Sequence, residues 1–312
     1  MNVPSNAVRR VTNVSLRNML RATVPDTVSL AIGEPSFDTP EVIREAMVRA
    51  LAAGETHYSD PLGLVALRQA IATDEQRPRR TLSTKEVLIT HGGSAGLAAI
   101  ILGTVNPGDI VAIEDPTYSL YADLVAMAGG QIATFQRGVD GMLETSSVSA
   151  AARDAALVIV CQPSNPTGAI LSRTDWEFLE QATRERNTPI VSDEAYSNLI
   201  YDDRKFVSVL DVPGLESRGV LCQTFSKKFA MTGWRIGYLI GAEKLVAAAY
   251  IAHRTFNGAV NTAVQHAAIA AIAQAQPAAA GMRDVYTQRR SEMANALASV
   301  KGLKAVLPAG AF

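Results

Sequence analysis

Six short, almost wholly apolar runs constrain this chain more than any other feature. They lie at 86–90 (EVLIT), 110–114 (IVAIE), 157–161 (LVIVC), 189–192 (PIVS), 219–225 (GVLCQTF) and 235–240 (RIGYLI), and helical patterns such as 94–103, 118–128 and 173–186 separate most of them. A run that is apolar throughout, rather than at alternate positions, is a strand buried on both faces. Strands of that kind separated by helices predict an α/β fold with a mostly parallel sheet covered on both sides. In such sheets a ligand sits beyond the carboxyl ends of the strands, so the residues after each run are where chemistry is expected. An amphipathic helix is expected at 41–53, with Val42, Ile43, Ala46, Met47, Ala50 and Leu51 at helical spacing. Thr39-Pro40 is expected to cap it and Gly54 to stop it.

Composition narrows the function classes. With 312 residues, 48% hydrophobic and 19% charged, the chain can build a sizeable core as one large domain or two ordinary ones. A net charge of −1 argues against a general nucleic-acid or membrane-surface role. No apolar run is long enough to span a bilayer, and MNVPSNAVRRVTNVSL lacks the apolar core of a secretory signal, so a soluble cytoplasmic protein is expected. Cys161 and Cys222 fall inside strand runs and read as small core residues in a reducing compartment. His57, His91, His253 and His266 share no ligand spacing, and no metal site is expected.

The strand ends carry a consistent set of groups. After EVLIT comes His91-Gly92-Gly93-Ser94-Ala95-Gly96 and a helix, a turn whose small residues let backbone N–H groups meet an anion such as phosphate. No GK[ST] follows, so this is not a nucleotide P-loop. After IVAIE comes Asp115-Pro116-Thr117-Tyr118, where the tyrosine either covers the core or stacks on a flat ring. After LVIVC comes QPSNPTG, a turn presenting the Asn165 amide, and after PIVS comes Asp193-Glu194-Ala195-Tyr196. A carboxylate at a buried strand end holds a cation or pairs with a protonated group, and here a ring nitrogen suits Asp193 better than magnesium. After GVLCQTF come Ser226, Lys227, Lys228 and then Arg235. Hydroxyls and a guanidinium suit phosphate, and a lysine among cationic neighbours loses its proton more easily, as an amine nucleophile toward an aldehyde must. Phosphate, aromatic ring, protonated ring nitrogen and amine nucleophile together describe pyridoxal phosphate.

These segments, with IGEPSFDTP (32–40), HYSDPLGLVALRQAIA (57–72) and NTAVQHAA (261–268), resemble the class I/II aminotransferases, pyridoxal-phosphate enzymes of fold type I. The resemblance implies a mostly parallel seven-stranded sheet in a large domain at 46–270. A small domain would be built from 1–45 and 271–312, with its C-terminal portion beyond the LPAGAF that closes this sequence. It implies that Lys227 forms the Schiff base, with Lys228 a solvated neighbour. Arg235, Ser226, Thr224 and the backbone of Gly93, Ser94 and Ala95 are then expected to bind the cofactor phosphate. By the same resemblance Asp193 pairs with the pyridinium nitrogen, Asn165 and Tyr196 bond the phenolic oxygen, and Tyr118 stacks on the ring. Tyr58 matches a tyrosine that reaches the partner subunit's phosphate, implying a homodimer with shared active sites. Gly33 matches a backbone contact to substrate, and Asn165 is expected to contact substrate as well.

The implied activity is transfer of an amino group between an L-amino acid and a 2-oxo acid through Lys227, by ping-pong kinetics. The same residues are compatible with β-elimination, decarboxylation or oxidation of an amino acid. A reading of another class, a non-catalytic cofactor-binding or regulatory module, also stands, because the segment expected to clamp the substrate carboxylate is absent from the sequence. No nucleic-acid partner is expected.

Overall fold

A computed structural model describes residues 4–11, 33–78, 80–138 and 141–311. Residues 12–32, assigned above to the small domain, lie outside the described residues. Seven strands form one sheet: β1 (Val87–Thr90), β2 (Ile110–Glu114), β3 (Gln131–Phe135), β4 (Ala155–Cys161), β5 (Ile190–Asp193), β6 (Gly219–Thr224) and β7 (Gly237–Gly241). Their order is β1-β7-β6-β5-β4-β2-β3, parallel except for β7, which runs antiparallel to both of its neighbours.

Strand residues point alternately to the two faces, and both faces are packed. Helices α1 (Asn6–Arg10), α2 (Glu41–Ala52), α3 (Val65–Asp74), α4 (Gly93–Thr104), α5 (Leu120–Ala128), α6 (Thr145–Ala152), α7 (Arg173–Arg184), α8 (Phe225–Lys228), α9 (Glu243–Phe256), α10 (Thr262–Gln274) and α11 (Gln276–Ala298) follow in chain order. Val158 and Val160 of β4 pack with Ile43 of α2, Leu67 of α3, Trp176 of α7 and Ala267 of α10. Leu157, Ile159 and Cys161 face the other way, onto Leu97 of α4, Tyr121 and Val125 of α5 and Ala249 of α9. Covering both faces is what the uniformly apolar strands require.

Register brings the expected site residues to one edge. Thr90 pairs with Gly237, Gly237 with Thr224, Cys161 with Asp193, and Asp193 with Cys222. Because β7 is antiparallel, its amino end lies beside the carboxyl ends of β1 and β6, so Arg235 joins the same rim as Lys227.

Two expectations are corrected. The cap of α2 is Pro40 without a side-chain bond, because the hydroxyl of Thr39 is used elsewhere. It donates to the Ala230 carbonyl at 2.5 Å and accepts from Trp234 Nε1 at 3.0 Å, tying this segment to the lysine-bearing loop. The last strand begins at Gly237 rather than at Arg235, since Arg235 adopts a left-handed conformation (φ 54°, ψ 55°) that no strand accommodates.

Candidate active site

The turn after β1 is built for close approach. Gly92 caps α4 with φ 83°, and a Cβ there would stand 2.8 Å from Nη2 of Arg235. On the other side, a Cβ on Gly237 would meet the Gln223 carbonyl at 2.6 Å, the Gly92 carbonyl carbon at 2.9 Å and the Gly93 nitrogen at 3.0 Å. Glycine at both positions therefore lets the turn nest between β7 and the Arg235 guanidinium. The N–H groups of Gly93, Ser94 and Ala95 open α4 and have no acceptor within the helix.

Hydroxyls from the end of β6 complete this corner. Thr224 Oγ1 caps the short helix α8 by accepting from the Ser226 N–H at 3.2 Å, and the two hydroxyl oxygens stand 2.9 Å apart. The Thr224 Cβ lies 3.6 Å from where a Gly93 Cβ would be. Arg235 is fixed by a 2.9 Å bond from Nη1 to the Thr232 carbonyl. Its left-handed backbone costs about 1–3 kcal/mol, a strain held in place by the surrounding turn. Helix-end N–H groups, two hydroxyls and a guanidinium form a donor set that suits a phosphate, and the glycine cradle leaves it room.

Asp193 ends β5 and is 6% exposed. Burial raises its pKa; bonds from the Tyr121 hydroxyl (2.8 Å, to Oδ2) and the Ala195 N–H (3.2 Å, to Oδ1), with the charge on Lys227, pull it back. Tyr121 itself is fully buried on α5 and meets Tyr118 edge-on with ring centroids 5.6 Å apart. Tyr118 is 36% exposed, so its ring flanks the rim rather than filling the core.

Lys227 is held between these groups. Its Nζ donates to the Gly33 carbonyl at 2.7 Å and lies 5.9 Å from the centre of the Tyr196 ring. Burial lowers the pKa of the amine, and Arg235 acts in the same direction, while Glu34 and Asp193 oppose them. Glu34 also accepts from the Thr232 hydroxyl, so the 33–34 segment grips the loop on which Arg235 sits. Lys228 turns the other way: its Nζ is 3.8 Å from Asp74 and 5.2 Å from the Phe229 ring centre. Two adjacent lysines thus have different surroundings, and one faces the rim groups.

Most expected residues come together here: Gly33, Gly93, Ser94, Ala95, Asp193, Tyr196, Thr224, Ser226, Lys227 and Arg235, with Tyr118 beside them. Asn165 is half-buried in the turn after β4, next in register to the Asp193 strand. Tyr58 stands apart in its exposure, at 98%. Sequence reasoning missed Tyr121, Glu34 and the contact between His253 and the turn at His91. Arg289 and Arg290 on α11 are engaged, the first with Ser36 Oγ at 2.7 Å, the second with both carboxylate oxygens of Asp202 at 2.9 and 2.6 Å. Among the described residues no helix is long and apolar enough to cross a membrane.

The chain matches the family described as Aminotransferase class I and II over residues 25–312. It is 34% identical to the aspartate aminotransferase of Thermotoga maritima over 299 residues, covering 92% of this chain and 76% of that relative. It is also 34% identical to the aspartate/prephenate aminotransferase of Thermus thermophilus over 301 residues, covering 94% and 77%. The fold superposes on a solved Thermotoga maritima aspartate aminotransferase with a TM-score of 0.92 at 31% identity, covering 99% of this chain and 84% of that one. A Pyrococcus protein of known structure gives 0.93 at 30% identity, with 98% and 81% covered. The fold-type I architecture, the rim donors and these likenesses agree: the chain belongs to the class I and II aminotransferases and is a pyridoxal-phosphate-dependent enzyme acting between amino acids and 2-oxo acids.

Proposed function

We propose that Lys227 is the residue through which this aminotransferase works, and that the Gly92–Arg235 corner would hold the cofactor phosphate while Tyr118 and Asp193 would hold its ring. The observation that carries this reading is the setting of Lys227, its amine depressed by burial and aimed into the rim, while Lys228 pairs outward with Asp74. Pyridoxal phosphate, when bound, supplies an electron sink for the pair left on an amino acid's α-carbon. Every other part of the task falls to backbone and side-chain groups of this chain.

Gly93, Ser94 and Ala95 N–H groups, Thr224, Ser226 and Arg235 anchor the phosphate. Asp193, whose charged form Tyr121 and Ala195 stabilise against burial, holds the proton on the pyridine nitrogen. Asn165 and Tyr196 orient the ring through its phenolic oxygen. Lys227 Nζ, neutral more readily than an exposed lysine, would take the proton from the substrate α-carbon and deliver it to the cofactor carbon two bonds away. Gly33, whose carbonyl already meets Lys227, lines the substrate side.

The homodimer belongs to the same proposal. Tyr58, at 98% exposure, is a large amphipathic side chain with nothing to cover it in one protomer, which suits a residue that reaches a second subunit's phosphate. A large domain at 46–270 and a small one from 1–45 and 271–312 are proposed on the same footing. A cytoplasmic location accords with two buried, unpaired thiols.

The test is a screen of L-amino acids with pyruvate and 2-oxoglutarate, read for 2-oxo acid, ammonia and peroxide. Stoichiometric exchange of amine for keto group without ammonia or peroxide supports transamination; ammonia release or peroxide would replace it with elimination or oxidation. Mixing Lys227→Ala and Tyr58→Ala subunits tests the shared site, since hybrids recover activity only if Tyr58 serves the partner.

A further inference from the structure

We propose that His253 is a positioning residue for the phosphate-binding turn, acting through the backbone and ring of His91. The inference rests on the reading that this turn holds the cofactor phosphate.

His253 lies near the end of α9, on the face that packs against α4, and is 1% exposed. Its Nε2 stands 3.3 Å from the His91 backbone nitrogen, whose N–H it accepts, and 3.3 Å from His91 Nδ1. The two rings stack, with centroids 5.3 Å apart and planes 29° apart. A nitrogen that accepts a backbone N–H carries no proton, so neutral His253 has its proton on Nδ1. Facing an unprotonated Nε2, His91 Nδ1 must itself be the protonated nitrogen, since two lone pairs would repel. One buried imidazole therefore fixes both the main chain and the tautomer of His91.

The bond falls where the turn leaves β1. Thr90 holds the next residue, its carbonyl accepting the Gly92 N–H at 2.8 Å and its hydroxyl donating to the Gly92 carbonyl at 3.1 Å. His253 fixes the residue between them. Together they set the direction in which the N–H groups of Gly93, Ser94 and Ala95 emerge.

An apolar side chain would fill the same space more cheaply. His253 Nδ1 is buried without a partner among the described residues, an arrangement that destabilises the fold. Burial and the neighbouring His91 push its pKa down to about 4, which keeps Nε2 available as an acceptor at neutral pH. The residue's polarity is thus directed at the turn and at nothing else in its surroundings.

The experiment compares wild type, His253→Leu, His253→Gln and Arg235→Ala, each prepared as holoenzyme, resolved of its cofactor, and then titrated with pyridoxal phosphate and with phosphate-free pyridoxal. His253→Leu is expected to weaken pyridoxal phosphate about tenfold while leaving pyridoxal within about twofold, the change expected for one lost backbone bond. His253→Gln, whose Oε1 occupies the Nε2 position, should recover affinity to within about threefold. Unchanged affinity in His253→Leu, or equal weakening for both ligands, would overturn the proposal while leaving the phosphate reading intact. If Arg235→Ala also failed to alter the preference for the phosphorylated ligand, the phosphate reading would fall and the proposal with it. Should His253→Leu not fold, nitrogen-15 NMR of His253 in the wild-type holoenzyme decides the matter: a protonated Nε2 contradicts the proposal, and an unprotonated one supports it.

Discussion

The Tyr121 hydroxyl donates to Oδ2 of Asp193 at 2.8 Å, from a side chain with no exposed surface. With the Ala195 N–H on the other oxygen, it offsets part of the desolvation that burial imposes on the carboxylate. A bond to a charged group contributes about 1.5–3 kcal/mol. Tyr121→Phe is therefore expected to lower kcat roughly ten- to a hundredfold. The visible spectrum of the bound cofactor should titrate with a shifted midpoint, because a less stabilised Asp193 holds the ring proton less firmly. Steady-state kinetics and a spectral pH titration check both, and an unchanged midpoint would deny Tyr121 this role.

Gly237 is closed to any side chain. The three atoms that a Cβ would strike are all main-chain atoms of β6 and the phosphate turn, so nothing flexible can give way. Gly237→Ala should cost about 1–3 kcal/mol in unfolding free energy and weaken cofactor binding, because relief requires moving Gly92 and Gly93. Denaturant unfolding together with cofactor titration measures the two effects. Lost stability with full cofactor affinity would show that the turn need not move.

Glu194 follows Asp193 at the end of β5, is buried, and accepts from Val209 N–H at 2.9 Å and Ser208 Oγ at 3.1 Å. Burial pushes its pKa from 4.5 up to about 8, more than these bonds lower it. A carboxyl group that binds its proton more tightly when folded contributes stability that is whole below its unfolded pKa. That contribution is lost as pH rises toward about 8. Wild type should therefore lose thermal stability relative to Glu194→Gln between pH 5 and about 8, the difference levelling off above that. Parallel melting curves across the range test this, and a constant difference would contradict it.

Much of this site was legible in sequence because its residues follow apolar strands, and those strands are buried on both faces. β4, β5 and β6 declare themselves for that reason. β3 does not: Gln131, Ile132 and Thr134 of this edge strand are exposed, so no apolar run marks it. Tyr121 was hidden by its type, since a tyrosine on a buried helix face reads as core. The available signal was its spacing three residues after Tyr118 in the stretch 118–128 expected to be helical, although the helix observed begins at Leu120 and leaves Tyr118 before it. Nothing local announces the bond from His253 to His91, a contact across 162 positions that only the packing of α9 on α4 creates. The positive φ of Arg235 was equally invisible, because the run 235–240 has a strand's composition.

The central claim is that Lys227, and not Lys228, carries the cofactor. Borohydride reduction of the holoenzyme followed by peptide mass mapping tests it most directly. The account predicts one modified peptide with the label on Lys227, and full labelling retained in Lys228→Ala. A label on Lys228, or one scattered over surface lysines, would contradict it.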